Sequence, residues 1–217
     1  MENNITKEWI FEIYGDHILN NGERPKNVYL FAKDNNFEEK DFYEFFSNFE
    51  QIEKLMLKHL FEKSLQLAFD VNNQNEVTSK EKLLNVYFIF FENLTMNRSL
   101  VLMILGKEKM NSVKKLQSIR ESHRDFVRTL DFNEWEIMKN AKNDIRSFNE
   151  KTREEALWLH LISCIEFWKK DTSSSFEKTD LYIEKTVDTG FELIDNEPLR
   201  KMIDLGKFLW KEKFKVN

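Results

Sequence analysis

Very few residues in this chain can end a helix or form a tight turn. Its 217 residues include only five glycines and two prolines, and sheet proteins depend on such residues at most of their turns. Lys, Glu, Leu and Phe are frequent, and no segment shows the alternation of apolar and polar side chains expected of a half-buried strand. The sequence therefore predicts an all-α fold of about ten helices.

The apolar side chains predict a packed core without a membrane span. Twenty Phe and five Trp supply ample apolar area, and the longest apolar run, residues 86–91, is far shorter than a transmembrane helix. The first residues lack the basic and apolar segments of an export signal. A single cysteine, Cys164, suits a reducing compartment. We therefore expect a cytoplasmic protein.

The first third of the chain is predicted to form three short helices and one long helix. Thr6 is the expected N-cap of the first helix, Gly22 follows its end, and Pro25 opens the second. Ser47 with Glu50 three residues later is a capping-box pattern that would start the long helix. The four predicted ranges are 7–20, 25–32, 37–46 and 47–70.

The rest of the chain is predicted to be a larger helical bundle. Residues 83–94 are apolar on nearly every side, so their helix must be central. The polar run 171–175 predicts a loop. The predicted helices are 79–94, 98–105, 110–129, 133–149, 152–170, 176–194 and 198–214.

The N-terminal pattern resembles the TetR family of bacterial transcriptional regulators. The matching residues are Gly22, Val28, Phe31, Ala32, Phe37, Phe42, Tyr43, Phe45, Phe46, Ser47, Glu50 and Ile52. The resemblance implies a helix-turn-helix domain over residues 1–46, and a helical ligand-binding and dimerisation domain over residues 47–217. In that family the helix that ends at Tyr43 would enter the DNA major groove.

The charge of the expected DNA-reading helix opposes DNA binding. Residues 1–60 contain seven Lys and Arg against twelve Asp and Glu, and the cations that phosphate contacts require are scarce. Glu or Asp can usefully read only the amino group of cytosine. The sequence therefore predicts an acidic reading helix that binds DNA weakly or not at all. The candidate DNA contacts are Lys33, Lys40, Tyr43 and Lys54.

The apolar helices of the second domain could enclose a ligand or form a solid core, and the sequence leaves both interpretations open. The resemblance implies a cavity for a small apolar or lipid-like ligand. Its candidate lining residues are Tyr87, Phe88, Phe91, Met103, Phe126, Trp158, Leu161, Ile162 and Ile165.

Two apolar stripes on the last two predicted helices need a partner, which is either the same domain or a second subunit. The resemblance implies a homodimer with two-fold symmetry. The candidate interface residues are Ile183, Val187, Phe191, Met202, Gly206, Leu209 and Trp210.

A second, shorter resemblance concerns residues 167–179, FWKKDTSSSFEKT. An aromatic helix end, an Asp-Thr-Ser loop and a following Phe-Glu-x-Thr are similar to the TetR-fold lipid-binding accessory proteins of ubiquinone biosynthesis. We found no catalytic constellation and expect neither an enzyme, nor a metal site, nor a cofactor. The hypotheses are a ligand-responsive TetR-like regulator, a lipid- or isoprenoid-binding accessory protein that does not bind DNA, and a helical protein-interaction module.

Overall fold

The computed structural model describes residues 5–72, 77–131 and 143–195 of the chain. Within these ranges all regular structure is helical, which confirms the all-α prediction. The α-helices are α1 (Lys7–Asn21), α2 (Val28–Asp34), α3 (Glu39–Phe45), α4 (Phe49–Asn72), α5 (Ser79–Met96), α6 (Arg98–Leu105), α7 (Lys109–Leu116), α8 (Arg120–Arg128), α9 (Asn143–Lys170) and α10 (Glu177–Asp195). Two 3-10 turns span Gln117–Ile119 and Ser174–Phe176.

Helices α1, α2 and α3 form a three-helix unit, called the head below. Its centre is the buried ring of Phe31, which meets the rings of Tyr14 and Phe42 edge-on at 6.0 and 6.4 Å between centroids. Phe46 is also buried, whereas Phe37 is half-buried. Edge-to-face aromatic packing of this kind fixes the three short helices against each other.

The predicted caps of α1 are confirmed, but the predicted start of α2 is wrong. Thr6 accepts a hydrogen bond from the backbone N–H of Trp9, and Gly22 adopts a left-handed φ of 76°. Helix α2 begins at Val28 instead of Pro25, because the side chain of Asn27 accepts from the N–H of Leu30 at 2.8 Å. Asn is as good an N-cap as Ser or Asp.

The predicted capping box of the long helix is also wrong. Asn48 caps α4, since its side-chain oxygen accepts from the N–H of Gln51 at 2.9 Å. Ser47 instead donates its N–H and hydroxyl to the side chain of Gln51. Glu50, the expected partner of Ser47, pairs with Lys54 at 2.7 Å.

Helices α4 to α9 form the part of the chain called the body below. Helix α4 packs along α5, where the ring of Phe61 meets Phe90 edge-on at 5.0 Å and Asn93 donates to Ser64 at 2.8 Å. Helix α6 contacts α1 of the head at Gly15, where a Cβ would lie 3.2 Å from the side chain of Leu100. The head therefore rests directly on the body.

Two predicted boundaries inside the body are wrong. The expected helix 110–129 is divided into α7, a 3-10 turn and α8. There the hydroxyl of Ser118 donates to the carbonyl of Lys115 at 2.8 Å and competes with the regular helical hydrogen bond. The expected break between residues 149 and 152 is absent, because α9 runs through it without a Gly or Pro to end the helix.

The first part of the predicted helix 133–149 and all of the predicted helix 198–214 lie outside the described residues.

The chain divides into two compact units, Met1–Lys170 and Asp171–Asn217. The second unit opens with a tight corner in which Asp171 accepts from the backbone N–H groups of Ser173 and Thr179 at 2.8 and 2.9 Å.

Among the described residues, no single helix has the length and apolarity to cross a membrane. Helices α5 and α6 reach that length and apolarity only as a pair, with a 94° bend between them.

We expect Gly22→Ala to lower the free energy of unfolding by about 1 kcal/mol, because a Cβ is strained at the left-handed φ of 76°. The control is Gly190→Ala in helix α10, where a Cβ would meet nothing within 4 Å and the backbone φ is not positive. That change should be neutral or stabilising. Urea unfolding of both variants measures the difference, and equal effects would contradict the assignment of Gly22 as the cap.

Candidate functional site

The exposed face of α3 carries the residues that would approach DNA. Tyr43 is 52% exposed, and its hydroxyl donates to Glu39 at 3.4 Å. Lys40 forms an ion pair with Glu38 at 2.8 Å, and Lys33 is exposed on α2. On the exposed face of α3, the cation Lys40 therefore already has the carboxylate of Glu38 as its partner.

The fourth predicted DNA contact, Lys54, lies in the first turns of α4. Its ammonium pairs with Glu50 one turn earlier, and the hydrogen bond from Lys54 lowers the pKa of Glu50. Likewise, the hydrogen bond from Lys40 lowers the pKa of Glu38. Both lysines therefore lie beside ionised carboxylates, which weakens the positive potential they offer to a phosphate.

A cleft of about 990 Å³ opens in the body between α4, the start of α5 and α8. Its lining is mixed and combines apolar side chains with hydroxyl, amide and charged groups. The lining residues are Glu62, Leu65, Phe69, Asn72, Val77, Thr78, Lys82, Val86, Ser122, Asp125, Phe126 and Thr129. This volume is in the range that small-molecule sites occupy.

Of the predicted cavity residues, Phe126 lines this cleft. Most of the others belong to the packed interior of the body, while Phe88 is half-buried and Met103 is 37% exposed. The buried members are Tyr87, Phe91, Trp158, Leu161, Ile162 and Ile165. Six of the nine predicted residues are therefore buried and do not line the open cleft, whereas Phe126 does. The cleft residues Glu62, Leu65 and Phe69 of α4 were not among the predicted lining residues.

The comparison with known families concerns the body. Residues 82–209, more than half of the chain, match a family model described as tetracyclin repressor-like, C-terminal domain. The chain belongs to the TetR family. The three-helix head of this TetR-family protein lies outside the matched range, so the family match and the geometry of the head are independent observations. Among curated proteins, none matches the chain.

The predicted dimer residues of this TetR-family protein lie on α10 and beyond. Ile183 and Val187 are buried within the chain, and Phe191 is half-buried. The other candidates, Met202, Gly206, Leu209 and Trp210, lie outside the described residues.

The body contains a buried polar cluster that the sequence analysis did not predict. The hydroxyl of Tyr87 lies 3.0 Å from Nε2 of His123 and donates to the carbonyl of Leu157 at 3.3 Å. The ring of His160 stacks on Tyr87, and its Nε2 lies 3.5 Å from the sulfur of Cys164. The spacing of His160 and Cys164, one helical turn apart, was the available sequence signal.

Burial keeps this cluster uncharged. It lowers the pKa of His123 from 6.5 to about 3 and raises the pKa of Cys164 from 9.0 to about 12. Burial also raises the pKa of Tyr87 well above its ordinary value. Within the described residues, no group of three or more His, Cys, Asp and Glu side chains could hold a metal ion.

The head and the body meet at a second buried polar group, called the joint below and formed by Tyr14, Arg24, Glu53 and Lys115. The carboxylate of Glu53 on α4 is 2% exposed. It accepts from the hydroxyl of Tyr14 at 2.9 Å and from Nε of Arg24 at 2.6 Å, and it pairs with the ammonium of Lys115 at 2.8 Å. Burial alone would raise the pKa of Glu53, but the hydrogen bonds from Arg24 and Lys115 lower it overall.

We expect the stability of the protein to fall as the pH drops from about 6.5 towards about 3. The unfolded chain protonates His123 near its ordinary pKa, whereas the folded chain does not, so the unfolded state binds more protons in this window. His123 alone should contribute a slope of up to about 1.4 kcal/mol per pH unit. Urea unfolding across this range measures the slope.

The matched variants are His123→Gln and His59→Gln. His123→Gln should reduce the slope by up to about 1.4 kcal/mol per pH unit, the contribution of one proton. His59→Gln, at an exposed position, should leave the slope unchanged. An unchanged slope in His123→Gln would contradict the buried, neutral state of His123.

Proposed function

We propose that this TetR-family protein is a ligand-responsive transcriptional regulator, not an enzyme, and that it acts as a homodimer with weak affinity for DNA. One observation carries the proposal. The three-helix head, with α3 exposed, continues in the chain directly into α4 of the body. Helix α4 lines part of the cleft of about 990 Å³.

The position of α4 supports control by a ligand. Its first half continues from the head, and its second half contributes Glu62, Leu65 and Phe69 to the cleft. A ligand that binds between α4 and α8 would shift α4 and with it the head. In a two-fold dimer, that shift changes the separation of the two reading helices, and the ligand alters DNA affinity to the extent that it prefers one of these states.

The lining of the cleft supports an amphipathic ligand. Five apolar side chains offer a surface for an acyl, aromatic or isoprenoid group, while Ser122 and Thr129 offer hydroxyl groups at the edge. The apolar side chains are Leu65, Phe69, Val77, Val86 and Phe126. A small organic molecule with an apolar part and a polar end fits this division.

The charges of the head support weak DNA binding. Lys40 and Lys54 would have to leave Glu38 and Glu50 before they could contact a phosphate. These ion pairs are exposed and individually weak, but the carboxylates remain near the DNA after the lysines have turned. The same observation favours the second candidate function, an accessory protein that binds a lipid or isoprenoid and does not bind DNA.

We expect Glu44→Lys to strengthen binding to duplexes from the gene's own upstream region by about fivefold, and to steepen the salt dependence by about one ion. Glu44 is exposed in the last turn of α3, where a lysine would meet a phosphate instead of repelling it. The control, Glu92→Lys, makes the same charge change at an exposed position of α5 in the body. Fluorescence anisotropy over a range of salt concentrations measures both effects.

Equal gains in the two variants would show that net charge alone acts and that α3 does not face the DNA. If no variant binds DNA, the regulator hypothesis is wrong and the accessory-protein hypothesis remains.

We expect a small amphipathic molecule to co-purify with the protein and to be lost in Thr129→Trp, because an indole at this exposed cleft position would fill the space. Met110→Trp introduces the same side chain at a position of α7 that is 67% exposed, and it should retain the molecule. Native mass spectrometry after mild extraction makes the comparison. Equal occupancy in both variants would place the ligand outside the cleft.

A further inference from the structure

The joint contains groups from both the head and the body on one carboxylate. Tyr14 and Arg24 belong to the head, and both donate to Glu53. Arg24 does so through two nitrogen atoms, Nε at 2.6 Å and Nη2 at 2.5 Å to the other oxygen. Lys115 belongs to α7 of the body and reaches the same carboxylate at 2.8 Å.

Lys115 also ties the joint to α6. Its ammonium donates to the carbonyl of Ile104 in the last turn of that helix. Helix α6 in turn contacts α1 of the head at Gly15 through Leu100. The side chain of Lys115 is therefore held by the end of α6 and by Glu53 of α4 at the same time.

The segment that carries Lys115 continues directly into the cleft. Helix α7 leads through the 3-10 turn Gln117–Ile119 into α8, where Ser122 and Phe126 line the cleft. The hydroxyl of Ser122 donates to Glu62 of α4 at 3.2 Å. Glu53 and Glu62 lie nine residues apart on α4, or about 14 Å along the helix. Helix α4 packs against α7, the 3-10 turn and α8, and two polar contacts lie within this interface, one in the joint and one at the cleft.

We infer that Lys115 and Glu53 are positioning residues that couple occupancy of the cleft to the head. This inference rests on the proposed function of the cleft as a ligand site. A group that separates α8 from α4 at Ser122 pulls on α7, and Lys115 withdraws from Glu53. Glu53 then keeps Tyr14 and Arg24, so the head stays attached to α4 while the link from Glu53 to α7 is lost.

The carboxylate therefore has two satisfied arrangements, one with three donors and one with two. Such alternatives allow a small displacement at one site to become a change of state at another. A purely structural ion pair would behave differently, because its loss would destabilise the protein without changing how the head responds to the cleft.

The experiment replaces the unidentified ligand by a covalent probe. Ser122→Cys is labelled with N-phenylmaleimide, which places an aromatic group in the cleft. The native Cys164 is buried and its pKa is raised to about 12, so it does not compete for the reagent. Hydrogen exchange of the α1 amides reports on the head. Exchange of the amides of residues 88–96, the part of α5 that does not line the cleft, serves as the internal reference for global stability.

We expect Lys115→Met to raise α1 exchange by about tenfold relative to α5, because Glu53, the carboxylate that holds Tyr14 of α1, loses its charge-assisted contact with α7. Lys114→Met makes the same change at the neighbouring exposed position of α7 and should have no effect. Lys115→Arg, which retains a cation, should restore most of the protection. Lys115→Gln removes only the charge and gives the same comparison if Lys115→Met does not fold.

The decisive comparison combines the two changes. The label on Ser122→Cys should raise α1 exchange when Lys115 is present and add nothing in Lys115→Met, so the two effects are not additive. An additive response, or equal exchange in Lys115→Met and Lys114→Met, would overturn the inference. Because neither DNA nor the natural ligand is used, the result does not depend on whether the protein binds either of them.

Discussion

The buried carboxylate of Glu53 constrains the arrangement of the whole N-terminal unit. An ionised carboxylate removed from water must be matched by donors, because a buried charge that is left unpaired costs several kcal/mol. Glu53 meets this requirement with Tyr14 of α1, Arg24 of the following loop and Lys115 of α7. Those three segments are fixed relative to α4 as a result. The contact of Leu100 on α6 with Gly15 on α1 adds an apolar contact between the head and the body.

The head combines an aromatic interior with an acidic exterior on α3. Its aromatic core around Phe31 needs only apolar area and ring packing, and it is indifferent to the charges on the outside. The exterior can therefore become acidic without loss of the fold. Ion pairs such as that between Lys40 and Glu38 keep the surface well solvated, and they reduce its attraction for phosphate. The packing of the head and its surface charge are thus set by different residues of the same helices.

The body divides its polar groups between two environments with different consequences. In the interior, Tyr87 and His123 pair with each other and burial keeps them neutral, so they specify packing without exposing a charge. In the cleft, Glu62 and Ser122 are accessible and can exchange partners. The polar groups of the interior and those of the cleft therefore differ in their access to solvent.

The sequence by itself determined the helical class, the caps of α1, the aromatic core of the head and the acidic character of α3. Each of these depends on residue type and on spacing within one or two helical turns, such as Thr6 before Trp9 or the single Gly22 after α1. Only the tertiary structure decided that Glu53, and not the similar Glu50, is buried, since the donors of Glu53 come from Tyr14, Arg24 and Lys115 far away in the chain. It likewise decided that Phe126 faces a cleft while Trp158 is core. Apolar periodicity marks the buried face of a helix, but which segment covers that face depends on how distant helices pack.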